Sequence, residues 1–292
     1  MIIVIVGPTG VGKTKLSIEL AKRLNGEIIN ADSTQVYKCL DIATAKVKES
    51  EKENIPHHLF DIKDIKENYT VFDYQQDSRK VIEDILKRQK TPIMVGGTGL
   101  YIKASLYDYE FEDETKHADY SSYSNEELYE KALQIDPNLS IHKNNRKRLE
   151  RFLDYYLNNN ESLNNKKKSE KIIYDNVIFI GLTTERNTLY ERLNNRVDQM
   201  FTEGLLDEAK SIYDSNIRTK AVLTPIGYKE LFPYFEGKET LENCLDKIRQ
   251  DSRKYAKRQD TWNRHQFDVN WIDVDFNNFD NTVSKALNII GK

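Results

Sequence analysis

Ile2-Ile3-Val4-Ile5-Val6-Gly7-Pro8-Thr9-Gly10-Val11-Gly12-Lys13-Thr14 stands at the start of the chain, and its reading decides the fold class. Residues 2–6 are wholly apolar and β-branched, the composition of a central parallel strand buried on both faces. Residues 7–14 fit the pattern GxxxxGK[ST] in full. Its glycines let backbone amides close around phosphate oxygens, Lys13 adds a positive charge, the helix start adds its dipole, and the Thr14 hydroxyl is suited to ligate magnesium. Gly7, Pro8, Thr9, Gly10, Val11, Gly12, Lys13 and Thr14 are therefore read as a P-loop that grips a diphosphate or triphosphate. By itself that motif points to a small-molecule kinase using ATP or to a nucleotide hydrolase.

Working outward, Lys15 to Leu24 sets Leu16, Leu20 and Leu24 four apart on one helical stripe, stopped by Asn25-Gly26. Glu27 to Asn30 reads as a second strand. Thr70 with Asp73 forms a capping box for a helix through about Arg88, and Pro92 to Val95 returns as a strand. Such alternation implies a doubly wound parallel sheet whose ligands lie beyond the carboxyl ends of the strands. Strand signals vanish between Phe111 and Asn176, where helical spacing appears over Glu126–Ile135 and Asn144–Leu157 and a mobile Asn/Lys-rich loop is expected over Asn158–Lys168. The sheet resumes at Val177–Leu182, followed by helices near Glu185–Phe201, Leu205–Asp214 and Thr240–His265 and a terminal strand–helix pair. The expected architecture is thus an α/β P-loop core, residues 1–110 and 177–292, interrupted by a helical insertion, residues 111–176.

The composition, 38% hydrophobic and 31% charged over 292 residues, excludes a disordered chain. No apolar run approaches the roughly 18 residues that span a bilayer, so a soluble cytoplasmic protein is expected. Two cysteines, Cys39 and Cys244, suit neither a disulfide framework nor a zinc site and are read as buried thiols. Net charge is −3, but it is unevenly spread. Lys143–Lys171 holds nine Lys/Arg against four acids, and Arg249–Arg264 six against two. Each cluster reads either as a phosphate-facing surface or as a solvated helix face.

The strand ending at Val95 should deliver an acid to magnesium in a kinase, yet Gly96-Gly97-Thr98-Gly99 follows it. Asp32, just past the second strand, is the best-placed carboxylate for accepting a substrate proton; its other readings are a helix cap or a magnesium ligand.

After the P-loop the chain carries, in order, Asp32-Ser33-Thr34-Gln35-Val36-Tyr37, Thr44-Ala45-Lys46, Pro56-His57-His58, Gly96-Gly97-Thr98-Gly99-Leu100-Tyr101, Ile226-Gly227-Tyr228-Lys229-Glu230 and Tyr255-Ala256-Lys257-Arg258-Gln259 with Thr261-Trp262. Through these blocks it resembles the tRNA dimethylallyltransferases over nearly its whole length. It implies that the adenosine 3′ of the anticodon is flipped into a channel where dimethylallyl diphosphate waits at the other end. Asp32 would accept the amine proton, while Lys13, Thr14 and Mg2+ stabilise the departing pyrophosphate and Arg196 forks onto its oxygens. The resemblance also assigns tRNA contacts to Ser33, Thr34, Gln35 and Thr98 near the flipped base. Lys147, Arg148 and Arg151 of the insertion would meet the anticodon stem-loop, as would Thr224, Gly227, Tyr228 and Lys229. Arg249, Arg253 and Lys257 recur every four residues and, with Arg258, are expected to follow the tRNA backbone. The insertion is short for the family, Ala43 and Val47 replace a common glycine and proline, and no zinc-binding tail is present, which suggests a bacterial or organellar short form. His57-His58 reads as a strand start in preference to a metal pair. A monomer is expected.

Overall fold

The computed structural model describes residues 1–111, 117–163 and 171–291. In chain order its elements are β1 (Ile2–Val6), α1 (Lys13–Arg23), β2 (Gly26–Asn30), β3 (His57–His58), α2 (Val71–Lys87), β4 (Thr91–Val95), α3 (Gly99–Leu106), α4 (Asn125–Ile135), α5 (Arg146–Asn159), β5 (Val177–Thr183), α6 (Arg186–Thr202), α7 (Leu205–Asp214), α8 (Lys220–Leu223), α9 (Phe232–Phe235), α10 (Leu241–Gln266), β6 (Asn270–Asp273) and α11 (Phe279–Ile290). The strands form one parallel sheet in the order β3-β2-β4-β1-β5-β6. β1 sits between β4 and β5, so the P-loop leaves the sheet at an interior strand where the chain winds off in both directions.

The apolar run of β1 divides by the strand's period of two. Ile2, Val4 and Val6 enter one core with Met94 and Ile29; Ile3 and Ile5 enter the other with Ile28, Ile93, Ile180 and Leu182. Leu16 and Leu20 of α1 and Val283 and Ala286 of α11 cover the second face. Tyr74 and Ile82 of α2, Leu205 and Ala209 of α7 and Ile248 of α10 belong to the first. The Thr70–Asp73 capping box opens α2 as the sequence indicates.

Two compact units emerge, residues 1–107 with 172–292, and residues 108–171. The second is built from α4 and α5 around Leu128, Ala132, Leu149, Phe152 and Leu153. Within it, Arg146 donates to the carbonyls of Tyr120 (2.6 Å) and Tyr123 (2.8 Å), fixing the segment that leads into α4. In the first unit, Tyr107 pairs with Ile172 in an antiparallel bridge, so its two ends at the insertion are neighbours.

Some sequence expectations are corrected. Gly-rich residues 96–99 hide the start of α3, whose first residue is Gly99; a Cβ there would lie 2.1 Å from Trp262 Nε1, so packing and not propensity selects this glycine. Cys244 is buried, but Cys39 is exposed in a left-handed turn with φ of 63°. Asn158 and Asn159 end α5, and the remainder of the expected loop over 164–168 lies outside the described residues. Among the described residues no helix is long and apolar enough to cross a membrane.

Candidate active site

The carboxyl end of β1 passes into Gly7, where φ is +136° and a Cβ would fall 2.4 Å from the Leu182 carbonyl oxygen of the neighbouring strand. No other residue lets the loop pass β5 so closely. Gly12, also left-handed, precedes the first turn of α1. Lys13 folds back over the loop, its Nζ donating to the carbonyls of Gly7 (3.0 Å) and Pro8 (2.9 Å). Burial pulls its pKa down to about 8; the Asp32 carboxylate opposes that fall and the Arg196 guanidinium adds to it. Thr14 is exposed at the start of α1.

α6 supplies two arginines one turn apart. Arg196 Nη1 donates to Thr9 Oγ1 at 3.3 Å, and Arg192 Nε donates to the Gly10 carbonyl at 3.1 Å while its guanidinium stacks 3.9 Å over Phe276. Burial lowers the Arg196 pKa, with Asp32 and Glu203 opposing. Arg196 is thus turned into the loop and is not a solvated surface arginine.

Asp32 follows β2. Its backbone N–H donates to Asn30 Oδ1 (2.9 Å), and its Oδ1 accepts from both the N–H (3.0 Å) and hydroxyl (2.7 Å) of Thr34. Oδ1 is thus occupied, and Oδ2 lies beside Gly97. Ser33 and Thr98 tie the loop after β2 to the loop after β4: Thr98 Oγ1 accepts from the Ser33 N–H at 3.0 Å and donates to Ser33 Oγ at 3.1 Å.

Two cavities open on this arrangement, both within the first unit. One, of about 640 Å3, is lined by Ser33, Thr34, Thr98, Thr224, Lys229 and Arg258 among others. The second, of about 780 Å3, holds Gly10, Gly12, Lys13, Thr14, Arg192 and Gln35. Thr9, Asp32, Thr44, Gly97, Arg196, Met200 and Gln259 line both and form their common wall.

The family model for IPP transferase matches residues 35–266. A tRNA dimethylallyltransferase of Anoxybacillus flavithermus is 48% identical over 99% of this chain and 96% of its own. The chain belongs to the tRNA dimethylallyltransferase family. The crystal structure of the tRNA isopentenylpyrophosphate transferase of Bacillus halodurans is similar, with a TM-score of 0.77 and 42% identity over 99% of this chain and 95% of that one. A structure of a eukaryotic dimethylallyltransferase acting on tRNA gives a TM-score of 0.83 and 32% identity, over 98% of this chain and 77% of that one.

Within this transferase, Ser33, Thr34, Thr98, Thr224, Lys229 and Arg258 gather at one cavity. Gln35 does not join them: its Nε2 donates to the carbonyls of Thr44 (2.9 Å) and Ala45 (3.3 Å), and it lines the second cavity. Gly227 and Tyr228 are buried. The Tyr228 hydroxyl donates to Glu208 Oε1 at 2.7 Å, so its side chain is spent inside the fold and is no surface contact. The α10 stripe is also corrected. Arg249 is consumed by Asp198, Glu242 and Asp246, and Arg253 donates to Asn194 Oδ1 at 2.6 Å, whereas Lys257 is exposed. Lys147, Arg148 and Arg151 lie exposed on α5 of the second unit, opposite buried Leu149, Phe152 and Leu153.

Three residues here carry no role in the sequence reading: Arg192, Glu208 and Gln259, although Gln259 stands in the quoted block Tyr255–Gln259. Glu208, on α7, accepts from the backbone N–H groups of Asp41, Ile42 and Ala43 at 2.9 to 3.1 Å, fixing a loop that lines both cavities. Charge four residues into a helix was the available signal, but nothing local identifies its partners.

Proposed function

We propose that the two cavities are the two substrate entrances of a dimethylallyl transfer from dimethylallyl diphosphate to the exocyclic amine of the adenosine 3′ of a tRNA anticodon, carried out by a monomer in the cytoplasm. The observation that carries the reading is the common wall, where Asp32 faces the P-loop cavity on one side and the Thr98–Arg258 cavity on the other. Asp32 Oδ2 takes the amine proton as the nitrogen bonds to the allylic carbon; the carbon–oxygen bond breaks, and its electron pair leaves with pyrophosphate. Lys13, Arg196 and the amides at the start of α1 receive that developing charge.

Magnesium fits this donor set. Among the described residues no group of three His, Cys, Asp or Glu stands ready to enclose a metal. An ion that keeps its waters and phosphate oxygens and borrows one protein hydroxyl needs no such cage, and exposed Thr14 supplies the hydroxyl. When bound, the ion neutralises the leaving pyrophosphate. The flipped base enters beside Ser33, Thr34 and Thr98, and Thr224, Lys229 and Arg258 meet the adjoining RNA at the rim. The kinase reading lacks a carboxylate where β4 ends, and family membership disfavours it.

The test is transfer of labelled dimethylallyl groups from their diphosphate to unmodified tRNA with magnesium and without ATP. Labelled tRNA is expected, and Asp32→Asn is expected to slow transfer by about 10²- to 10⁴-fold while pyrophosphate binding survives. ATP turnover without prenyl transfer would return the P-loop to kinase chemistry.

A further inference from the structure

One amide of the phosphate loop is already taken by the protein. The Thr9 N–H donates to Gln259 Oε1 at 2.8 Å, across 250 residues of sequence. The Nε2 of the same side chain donates to the Gly97 carbonyl at 3.1 Å. These two bonds fix the orientation of the carboxamide, because only its oxygen accepts and only its nitrogen donates. Gln259 is 5% exposed, and Tyr255 braces it together with Thr98. There is no slack on the other side: a Cβ on Gly97 would lie 2.2 Å from Gln259 Nε2 and 2.9 Å from Asp32 Oδ2.

A P-loop holds successive phosphates by successive amides. The amides from Gly10 to Thr14 remain for a diphosphate, whereas a third phosphate extending along the loop reaches Thr9, whose N–H is occupied. It meets there a carboxamide oxygen, whose partial negative charge repels phosphate oxygens. Extension the opposite way meets only the Lys15 N–H before the helix closes, since the Leu16 N–H already donates to the Gly12 carbonyl at 3.1 Å.

We propose that Gln259 is a specificity-determining residue that closes the P-loop at Thr9, so that the site takes a diphosphate and draws no benefit from a third phosphate. The assignment rests on the prenyl-donor reading of the same site and explains how a loop of nucleotide-binding type is restricted to a shorter anion.

The test uses the full chain with magnesium and two probes, inorganic pyrophosphate and inorganic tripolyphosphate, compared by calorimetry. The wild-type protein is expected to bind tripolyphosphate no more tightly than pyrophosphate. Gln259→Ala is expected to shift the ratio toward tripolyphosphate by about tenfold or more, the worth of one recovered amide–phosphate bond. Gln259→Met, which keeps the volume and frees the Thr9 N–H, is expected to shift it the same way and guards against an Ala variant that fails to fold. A purely structural role for Gln259 would weaken both anions alike, leaving the ratio within about threefold in both variants, and that result overturns the assignment. Wild-type protein that binds no pyrophosphate would instead sink the prenyl-donor reading itself.

Discussion

Lys13 rests on two carbonyl oxygens of its own loop, and burial holds its pKa at about 8. The ammonium is therefore charged below about pH 8 and neutral above it, well before an ordinary lysine titrates. Pyrophosphate affinity is expected to be full at about pH 7 and to fall as the pH passes through about 8, a step that Lys13→Met lacks; calorimetry at several pH values checks it. The same group acts on folding in the opposite sense. Between about 8 and the unfolded value of 10.5 the unfolded chain holds the extra proton, so stability contributed by this group rises with pH across that window. At this scale the sequence was legible wherever a motif is local: residues 7–14 and Asp32 stand where the strand-and-loop reading put them, and Thr98 stands at the cavity to which the resemblance assigned it. Gln259 and Glu208 were not legible, because each acts on backbone groups more than 150 residues away that only the folded sheet brings near.

Among the elements, α7 carries a carboxylate that gathers three consecutive backbone amides and one buried phenol. Hydrogen bonds to a charged group contribute about 1.5–3 kcal/mol each. Tyr228→Phe is expected to lower stability by about that amount in urea unfolding while leaving the salt dependence of tRNA binding unchanged; a weakened salt dependence would restore Tyr228 to the RNA surface. α5 behaves differently. Its Lys147, Arg148 and Arg151 cover the face opposite the small core of the second unit. Arg148→Glu with Arg151→Glu is expected to weaken tRNA binding and to flatten its log–log salt dependence by about 0.7–0.9 per lost phosphate contact, with pyrophosphate binding intact; filter binding at several salt concentrations measures both. Most elements were readable from pattern, since β1 is an unbroken apolar run buried on both faces and α1, α2 and α10 each bury a consistent face. α3 was not, because its first residue Gly99 is selected by the indole of Trp262 and, after Gly96 and Gly97, mimics a loop. The α10 stripe was over-read: four-residue spacing put three cations on one face, but it did not show the acids and the asparagine that engage Arg249 and Arg253.

On the scale of the molecule, the sheet core is assembled from chain on both sides of residues 108–171, and its two ends meet in the Tyr107–Ile172 bridge. Replacing residues 108–171 by a short glycine-rich turn is therefore expected to leave a core that folds and binds pyrophosphate but holds tRNA far more weakly. Circular dichroism and calorimetry check the first part and filter binding the second; a core that fails to fold would show that the bridge does not close the unit by itself. The common wall of the two cavities carries a different consequence, one of traffic. On the proposed reading the anion and the base enter by separate cavities, and neither has to leave for the other to enter. Spent pyrophosphate would then drain by its own door while the RNA is still seated, and the order in which products depart would be set by their separate grips.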